Sequence, residues 1–362
     1  LLGEERSLTG PEAGLTRDAI TAPWKAGDRD VLAALAKLNR QHESDRPGDS
    51  RLDARIRSYE LAAKLQLSAP SVLDLSKETA ETLKLYGLDT LDITVAAWRD
   101  LIPVPPGPAG LDFIRGVSSQ FLTPDRDIII YTPPGYDEAL GTRYPVLYMH
   151  DGQNLFDRRT SFQMGPEWQV DETAERLIVA GEIAPLIIVA VGNTGARIDE
   201  YTQIASAGRG GGKADLYARL LVEELKPRID STYRTKPEPQ FTGVAGSSLG
   251  GLVSMYFGLT KSATFTRIGA ISPSVWWANR DILTRVNALT AKPPLRVWVD
   301  VGSNEGDQDT VPDARALKTA LVAKGFVEEN DLKYREYTNA AHNESSWAAR
   351  FADVLKYLFP PQ

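Results

Sequence analysis

The 362-residue chain contains no cysteine, three histidines and three methionines. Without cysteine there is no disulfide framework and no thiolate metal site. His42, His150 and His342 lie too far apart to suggest a histidine-rich metal centre. Carboxylate-bound calcium is the metal class that composition leaves open. No apolar run reaches the length that spans a bilayer, and no signal peptide is visible. Positive charge is also in deficit, with 41 Lys and Arg against 48 Asp and Glu and a formal net charge of −7. No cationic cluster offsets this, so a nucleic-acid partner is not expected. The stretch 208–213, Gly-Arg-Gly-Gly-Gly-Lys, fails as a phosphate loop. That pattern wants glycine at 207 and Ser or Thr at 214, and both are alanine. It reads instead as a mobile loop. No metal and no cofactor are expected, and nothing in the chain fixes an oligomeric state. An opening Leu1-Leu2 in place of Met points to a leader removed upstream, which favours a secreted or periplasmic location.

What is present suits a globular protein: 42% apolar and 25% charged residues. Residues 1–102 are rich in Leu, Ala, Arg and Asp and read as a small helical segment. Apolar positions recur at helical spacing over 30–38 and again over 51–65. The proline-rich stretch 103–110 reads as a stiff linker. Residues 111–362 then alternate strand and helix patterns, the signature of an α/β fold with a mostly parallel sheet and helices on both faces.

The chemistry centres on Gly246-Ser247-Ser248-Leu249-Gly250. An apolar strand-like run, 241–245, leads into it, and a helix-compatible run follows it. Strand, sharp turn and helix make Gly-x-Ser-x-Gly a nucleophile elbow. Glycine at 246 and 250 lets the chain close around a strained central serine. A serine hydroxyl near neutral pH needs a base. In the chain order serine, acid, histidine, only His342 follows Ser248. The acid should lie between them. The loop after the strand 295–301 offers Glu305, flanked by Gly302 and Gly306, as first choice, then Asp307, then Asp300 within the strand pattern. Glu305 would orient His342 and stabilise its imidazolium.

An oxyanion hole needs two backbone N–H groups. Leu249, after the nucleophile, and Gln153, in the loop after the strand 144–149, are the expected donors. His150 reads as a structural histidine beneath that loop. Asp151 reads as a bracing acceptor on the substrate side. Arg197 and Tyr201, in the loop after the strand 185–191, are placed to meet a polar or anionic substrate group, or else to pair within the loop. Trp276 and Trp277, just past the strand 268–272, suggest a pocket wall suited to sugar rings or aromatic acyl groups. The helix pattern 215–230 is expected to lose order near Pro227.

The segment Tyr144-Pro145-Val146-Leu147-Tyr148-Met149-His150-Asp151-Gly152-Gln153-Asn154, with the elbow and Gly302-Ser303-Asn304-Glu305, resembles the putative esterase family of α/β-hydrolases over residues 112–359. That family includes esterase D, enterochelin esterases, feruloyl and acetylxylan esterases and the antigen 85 mycolyltransferases. The resemblance is greatest to the enterochelin-esterase-like branch, in which a glutamate after Gly-x-x fills the acid role. It implies an α/β-hydrolase fold and a serine carboxylic ester hydrolase acting through an acyl-enzyme. The substrate would be a small-molecule or carbohydrate-linked ester, either short-chain, sugar-linked or aromatic. Alternatives are acyl transfer of the antigen 85 type, siderophore-lactone hydrolysis and a non-catalytic scaffold. Residues 51–88 resemble part of an uncharacterised family of secreted, sulfatase-like bacterial proteins. That is consistent with either a fusion or a helical appendage that catalysis does not need.

Overall fold

The computed structural model describes residues 110–361 other than 163–164 and 307–308. The helices expected over 30–38 and 51–65, nearly all of the 103–110 linker, and Asp307 lie outside the described residues. The central sheet has eight strands in the order β1-β2-β4-β3-β7-β8-β9-β10. They are β1 Leu111–Val117, β2 Arg126–Tyr131, β3 Val146–His150, β4 Ile187–Val191, β7 Thr242–Ser247, β8 Arg267–Ile271, β9 Arg296–Asn304 and β10 Leu332–Ala341. β1, β2 and β4 pair antiparallel, and every pairing from β4 through β3 to β10 is parallel. This is the α/β-hydrolase arrangement.

The central strands form because both their faces are covered. β3, β4 and β7 are buried at every position, and the sequences of β3 and β4 are near-continuous apolar runs. Alternate side chains then feed two separate cores. Val146, Tyr148, Val189, Val244 and Val299 point to one face, and Leu147, Met149, Ile188, Ala190 and Trp298 to the other. The first core is roofed by α3 (Ala214–Arg219), α4 (Lys226–Thr232), α5 (Leu249–Thr260) and α6 (Trp277–Asn287). The second lies under α1 (Val170–Val179) and α8 (Glu344–Leu358). A short α2 (Arg197–Glu200) follows β4, and α7 (Thr310–Ala323) joins β9 to β10.

Parallel strands set their carboxyl ends along one edge. The loops after β3, β4, β7, β8, β9 and β10 therefore gather there, and each carries a residue singled out above.

Two expectations are corrected. Pro227 does not end its helix. Residues Leu220–Leu225 form a π-helical turn between α3 and α4, and Pro227 sits in the first turn of α4. Widening the turn ahead of proline accommodates its missing N–H and its ring. The stretch 208–213 is not a free loop. Gly210–Gly211 (β6) pairs with Ala205–Ser206 (β5) as a hairpin. Asp199 holds it through the Gly211 N–H at 2.8 Å and Lys213 at 2.8 Å. A Cβ on Gly211 would stand 2.4 Å from Thr202 Oγ1 and 2.9 Å from Trp277, so only glycine fits there.

Beneath the carboxyl edge, Arg126 and Glu200 form a bidentate pair at 2.9 and 3.0 Å, with side chains 1% and 0% exposed. Removing one partner strands a buried charge. Arg126→Met is expected to lower the unfolding free energy in urea by about 3–5 kcal/mol. Arg126→Met/Glu200→Leu should recover part of that loss. Equal losses in the single and double variants would show that the pair contributes little.

Candidate active site

The serine elbow is built as its sequence requires. Ser248 follows the last residue of β7 and caps α5 with φ 59° and ψ −122°, a left-hand backbone that costs a non-glycine residue about 1–3 kcal/mol. It is held there by hydrogen bonds from its own N–H to Ile271 O and from the Ser274 N–H to its carbonyl, both 3.0 Å. The turn is tight enough that a Cβ on Gly246 would lie 3.1 Å from Gly250 and 3.0 Å from the His150 ring. A Cβ on Gly251 would lie 2.8 Å from Ile271 O. Leu249 is the first residue of α5, so its N–H has no intrahelical acceptor.

His342 follows the last residue of β10. The strand bulges just before it: Asn339 has φ 60°, and the register with β9 shifts between Tyr337 and Ala341. Immediately afterwards Asn343 caps α8, its side chain accepting the Ser346 N–H at 3.0 Å. The imidazole is thus pinned between a strand end and a helix start, and it packs edge-on against Trp347 at 4.9 Å.

Glu305 lies in the loop after β9. Its Oε2 is 2.9 Å from His342 Nδ1, so in the tautomer protonated there the ring donates to the carboxylate. Its Oε1 accepts from the Gly302 N–H at 2.6 Å and from Ser272 Oγ at 2.5 Å. Arg350 Nη2 stands 3.3 Å from the same oxygen. The carboxylate is fully buried. Burial pushes its pKa up, but the hydrogen bonds from His342, Ser272 and Gly302 outweigh it and hold the group below the usual carboxylate range. Gly302 has no room for a side chain, since a Cβ would meet Ala340 O at 2.2 Å.

The hydroxyl of Ser248 lies 3.3 Å from Ser274 Oγ, and no hydrogen bond joins it to His342 among the described residues. The pairing that is formed is therefore His342 with Glu305, while the serine is tethered to its neighbour across the loop after β8.

Gln153 lies in a 3-10 turn, Gly152–Asn154, where its N–H has no partner within the element. The side-chain oxygen of Gln153 accepts the Asn193 N–H at 3.2 Å, and its carbonyl accepts from Thr160 Oγ1 at 2.7 Å. A Cβ on Gly152 would collide with Ala190 at 2.7 Å, so this turn lies directly on the end of β4.

Asp151 and Arg197 face each other rather than open space. The guanidinium donates to both carboxylate oxygens at 2.6 and 2.7 Å, and Asn193 Nδ2 adds a third bond at 2.5 Å. Asp151 is a brace with little free acceptor capacity, and Arg197 has its charge met. Tyr201 is wholly buried, its hydroxyl accepting the Asp151 N–H at 3.1 Å, and so cannot reach a substrate. Trp277 is likewise corrected: it is 2% exposed and donates to Ile204 O at 2.8 Å, so it belongs to the core. Trp276 remains on the surface at 38% exposure, with the Arg209 guanidinium 5.0 Å over its ring.

His150 is buried, with Nδ1 2.9 Å from the Tyr217 hydroxyl. Asp300, the third-choice acid, is buried and accepts from Trp298 Nε1 at 2.7 Å. Ser272, Ser274 and Arg350 were not anticipated. Arg350 had a sequence signal: it falls in the apolar stripe Trp347, Phe351, Val354, Leu355 and Leu358 of α8, where a charge needs a buried partner. Among the described residues no group of three or more His, Asp or Glu is arranged to hold a metal, and no helix is long and apolar enough to cross a membrane.

A mostly parallel α/β sheet carrying a strained serine elbow at its carboxyl edge defines the α/β-hydrolase class, and an esterase family match over most of the chain makes the protein a carboxylic ester hydrolase. Residues 119–358 match the family described as "Putative esterase", and the chain belongs to that family. Residues 18–101 match a second family, a protein of unknown function (DUF1501). The chain is 27% identical to the uncharacterized protein YbbA of Bacillus subtilis, over 68% of this chain and 97% of that one. It is 26% identical to the iron(III) enterobactin esterase of Dickeya dadantii, over 72% of this chain but only 58% of the relative. It matches the endo-1,4-beta-xylanase/feruloyl esterase of Xylanibacter ruminicola at 26%, over 64% of this chain and 29% of the relative. The enterobactin esterase FES of Shigella flexneri, solved in the presence of 2,3-di-hydroxy-N-benzoyl-serine, shares the fold with a TM-score of 0.56. It is 20% identical, over 70% of this chain and 60% of that one.

The histidine beneath the elbow makes a pH prediction. Burial pushes His150 down to about 3, against a pull upward from Asp151. A depressed pKa means the unfolded chain takes up a proton that the folded chain refuses. The stability that neutral His150 contributes is therefore full above about 6.5 and is lost as pH falls toward 3. The gap in urea midpoint between the wild type and His150→Gln should narrow steadily from pH 7 to pH 4. A gap independent of pH would contradict it.

Proposed function

We propose that Ser248, His342 and Glu305 act as a catalytic triad in carboxylic ester hydrolysis through an acyl-enzyme. The observation that carries this is the 2.9 Å pairing of His342 with the buried Glu305, on the same sheet edge as the strained Ser248. The hydroxyl of Ser248 leaves Ser274 for the free ring nitrogen of His342, and its oxygen attacks the ester carbonyl carbon. The proton passes to His342 Nε2, and Glu305 stabilises the imidazolium through Nδ1–H. The oxyanion is received by the N–H groups of Leu249 and Gln153. As the C–O bond to the alcohol breaks, His342 returns the proton to the departing oxygen. Water, deprotonated by His342, then attacks the acyl carbon, the bond from the acyl carbon to Ser248 Oγ breaks, and His342 returns the proton to Oγ as the acid departs.

The substrate class we infer is an ester whose acyl part carries an aromatic ring, either feruloyl itself or a seryl acyl group bearing an N-dihydroxybenzoyl ring. Trp276 supports it: a partly exposed indole with Arg209 over its ring, two residues beyond Ser274, whose hydroxyl neighbours the nucleophile. Relatives named for feruloyl and enterobactin esters lean the same way. Trp277 and Arg197 drop out of the binding surface, since each is committed within the protein.

Ser248→Ala and His342→Gln should each lower kcat at least ~10³-fold, and Glu305→Gln ~10²–10⁴-fold. A fluorophosphonate probe should label the wild type and not Ser248→Ala. Undiminished turnover in Ser248→Ala would end the triad reading. Methyl ferulate and enterobactin should be cleaved with higher kcat/KM than acetylated xylan, and Trp276→Ala should erase about tenfold of that preference. Preference for acetylated xylan, or unchanged selectivity in the variant, would overturn the aromatic reading. We also infer that residues 1–102 are dispensable for turnover. A soluble chain lacking residues 1–105 should retain kcat on p-nitrophenyl butyrate within about twofold, and soluble but inactive protein would refute this.

A further inference from the structure

One buried polar network lies outside the reaction steps given above. It sits between β9 and α8, directly behind Glu305. Trp298, Asp300 and Gly302 occupy alternate positions of β9 and so face α8 together. Arg350 of α8 reaches down to them and is 2% exposed. Its Nη2 lies 2.5 Å from Ser272 Oγ, 3.0 Å from Asp300 Oδ1 and 3.3 Å from Glu305 Oε1. Ser272 is fully used: it donates to Glu305 and accepts from Arg350 and from Trp347 Nε1 at 3.1 Å. Trp347 is the same ring against which His342 packs. Two buried carboxylates thus share one guanidinium, and one of them serves the imidazole.

The charge arithmetic gives this arrangement a purpose. Glu305 stabilises an imidazolium only to the extent that its own charge is not already neutralised. A guanidinium on Glu305 alone would cancel it. We propose that Arg350 and Asp300 are positioning residues for the triad: Arg350 and Ser272 fix Oε1 so that Oε2 alone meets His342, and Asp300 takes up the charge of Arg350 so that Glu305 keeps its own. Neither residue touches the reacting atoms. Burial pushes the Asp300 carboxyl up to about 6, while the Arg350 guanidinium beside it pulls the other way. The inference rests on the triad reading above. Charged and titratable groups on the elements packed against this network include Glu305 after β9, Asp300 on β9, Tyr337 on β10, and Glu344, Arg350 and Asp353 on α8. Of these, Tyr337 is bonded to Asp353 at 2.8 Å, and Glu344 accepts from Asn154 at 3.3 Å.

A purely structural ion pair would change stability and leave the pH profile alone, so the profile of kcat/KM on p-nitrophenyl butyrate between pH 5 and 9 is the test. Asp300→Asn leaves the Arg350 charge unopposed. Its acid limb should move to lower pH by about one unit, with kcat reduced about tenfold and KM little changed. Arg350→Met removes the cation, and its limb should move to higher pH. Asp300→Asn/Arg350→Met should return the limb close to the wild-type position even if it melts earlier. Should Asp300→Asn not fold, the opposite shift in Arg350→Met and its reversal in the double variant decide the question. Limbs that coincide with the wild type in the folded variants overturn the inference. Fluorophosphonate labelling separates the two levels: a labelled, active wild type with unmoved limbs sinks only this proposal, whereas an unlabelled wild type sinks the triad.

Discussion

A carboxylate with no access to water must have its lone pairs answered by the protein. At Glu305 that requirement organises the whole carboxyl edge of the sheet. One oxygen is answered by Ser272 from the loop after β8, by the Gly302 N–H of β9 itself and by Arg350 from α8, and the other by His342 from the end of β10. Four separate pieces of chain must arrive together for the charge to survive burial. The same contacts hold Glu305 below the usual carboxylate range although burial opposes this.

The elbow is governed by a different constraint, backbone proximity. Ser248 keeps its unfavourable conformation because Gly246, Gly250 and Gly251 let β7, α5 and the end of β8 approach to contact distance. His150 is packed under that contact, which is why it is kept neutral there. The Asp151–Arg197 brace and the Glu200–Arg126 pair extend the support outward through α2, so the loops after β3 and β4 form one stiff unit.

Much of the edge could be read in advance, and the physical reasons differ by residue. Ser248 sits in a local pattern, strand then glycine turn then helix, whose geometry follows from a few consecutive residues. His342 followed from scarcity, because it is the one histidine beyond the serine. The turn that carries Glu305 was legible through Gly302 three residues before it, which the fold needs because Ala340 O occupies the space of a side chain there. Trp276 and Trp277 were not separable in sequence. Adjacent residues entering α6 diverge, one to the core and one to the surface, and only the packing of the 205–211 hairpin decides which. Arg197 and Asp151, far apart in the chain, gave no sign that they would neutralise each other.

The amino-acid order alone determined the α/β sheet and the elbow, and left His342 as the one histidine beyond Ser248, because apolar runs, glycine turns and residue counts are local or global properties of a chain. Tertiary structure decided which charges are spent on one another. That Arg350 faces Asp300 and Glu305, and that the Ser248 hydroxyl lies against Ser274, depends on distances between side chains brought together by crossovers of many residues. Coulomb energy and hydrogen bonding act over a few ångströms of space, and sequence separation carries no record of that distance.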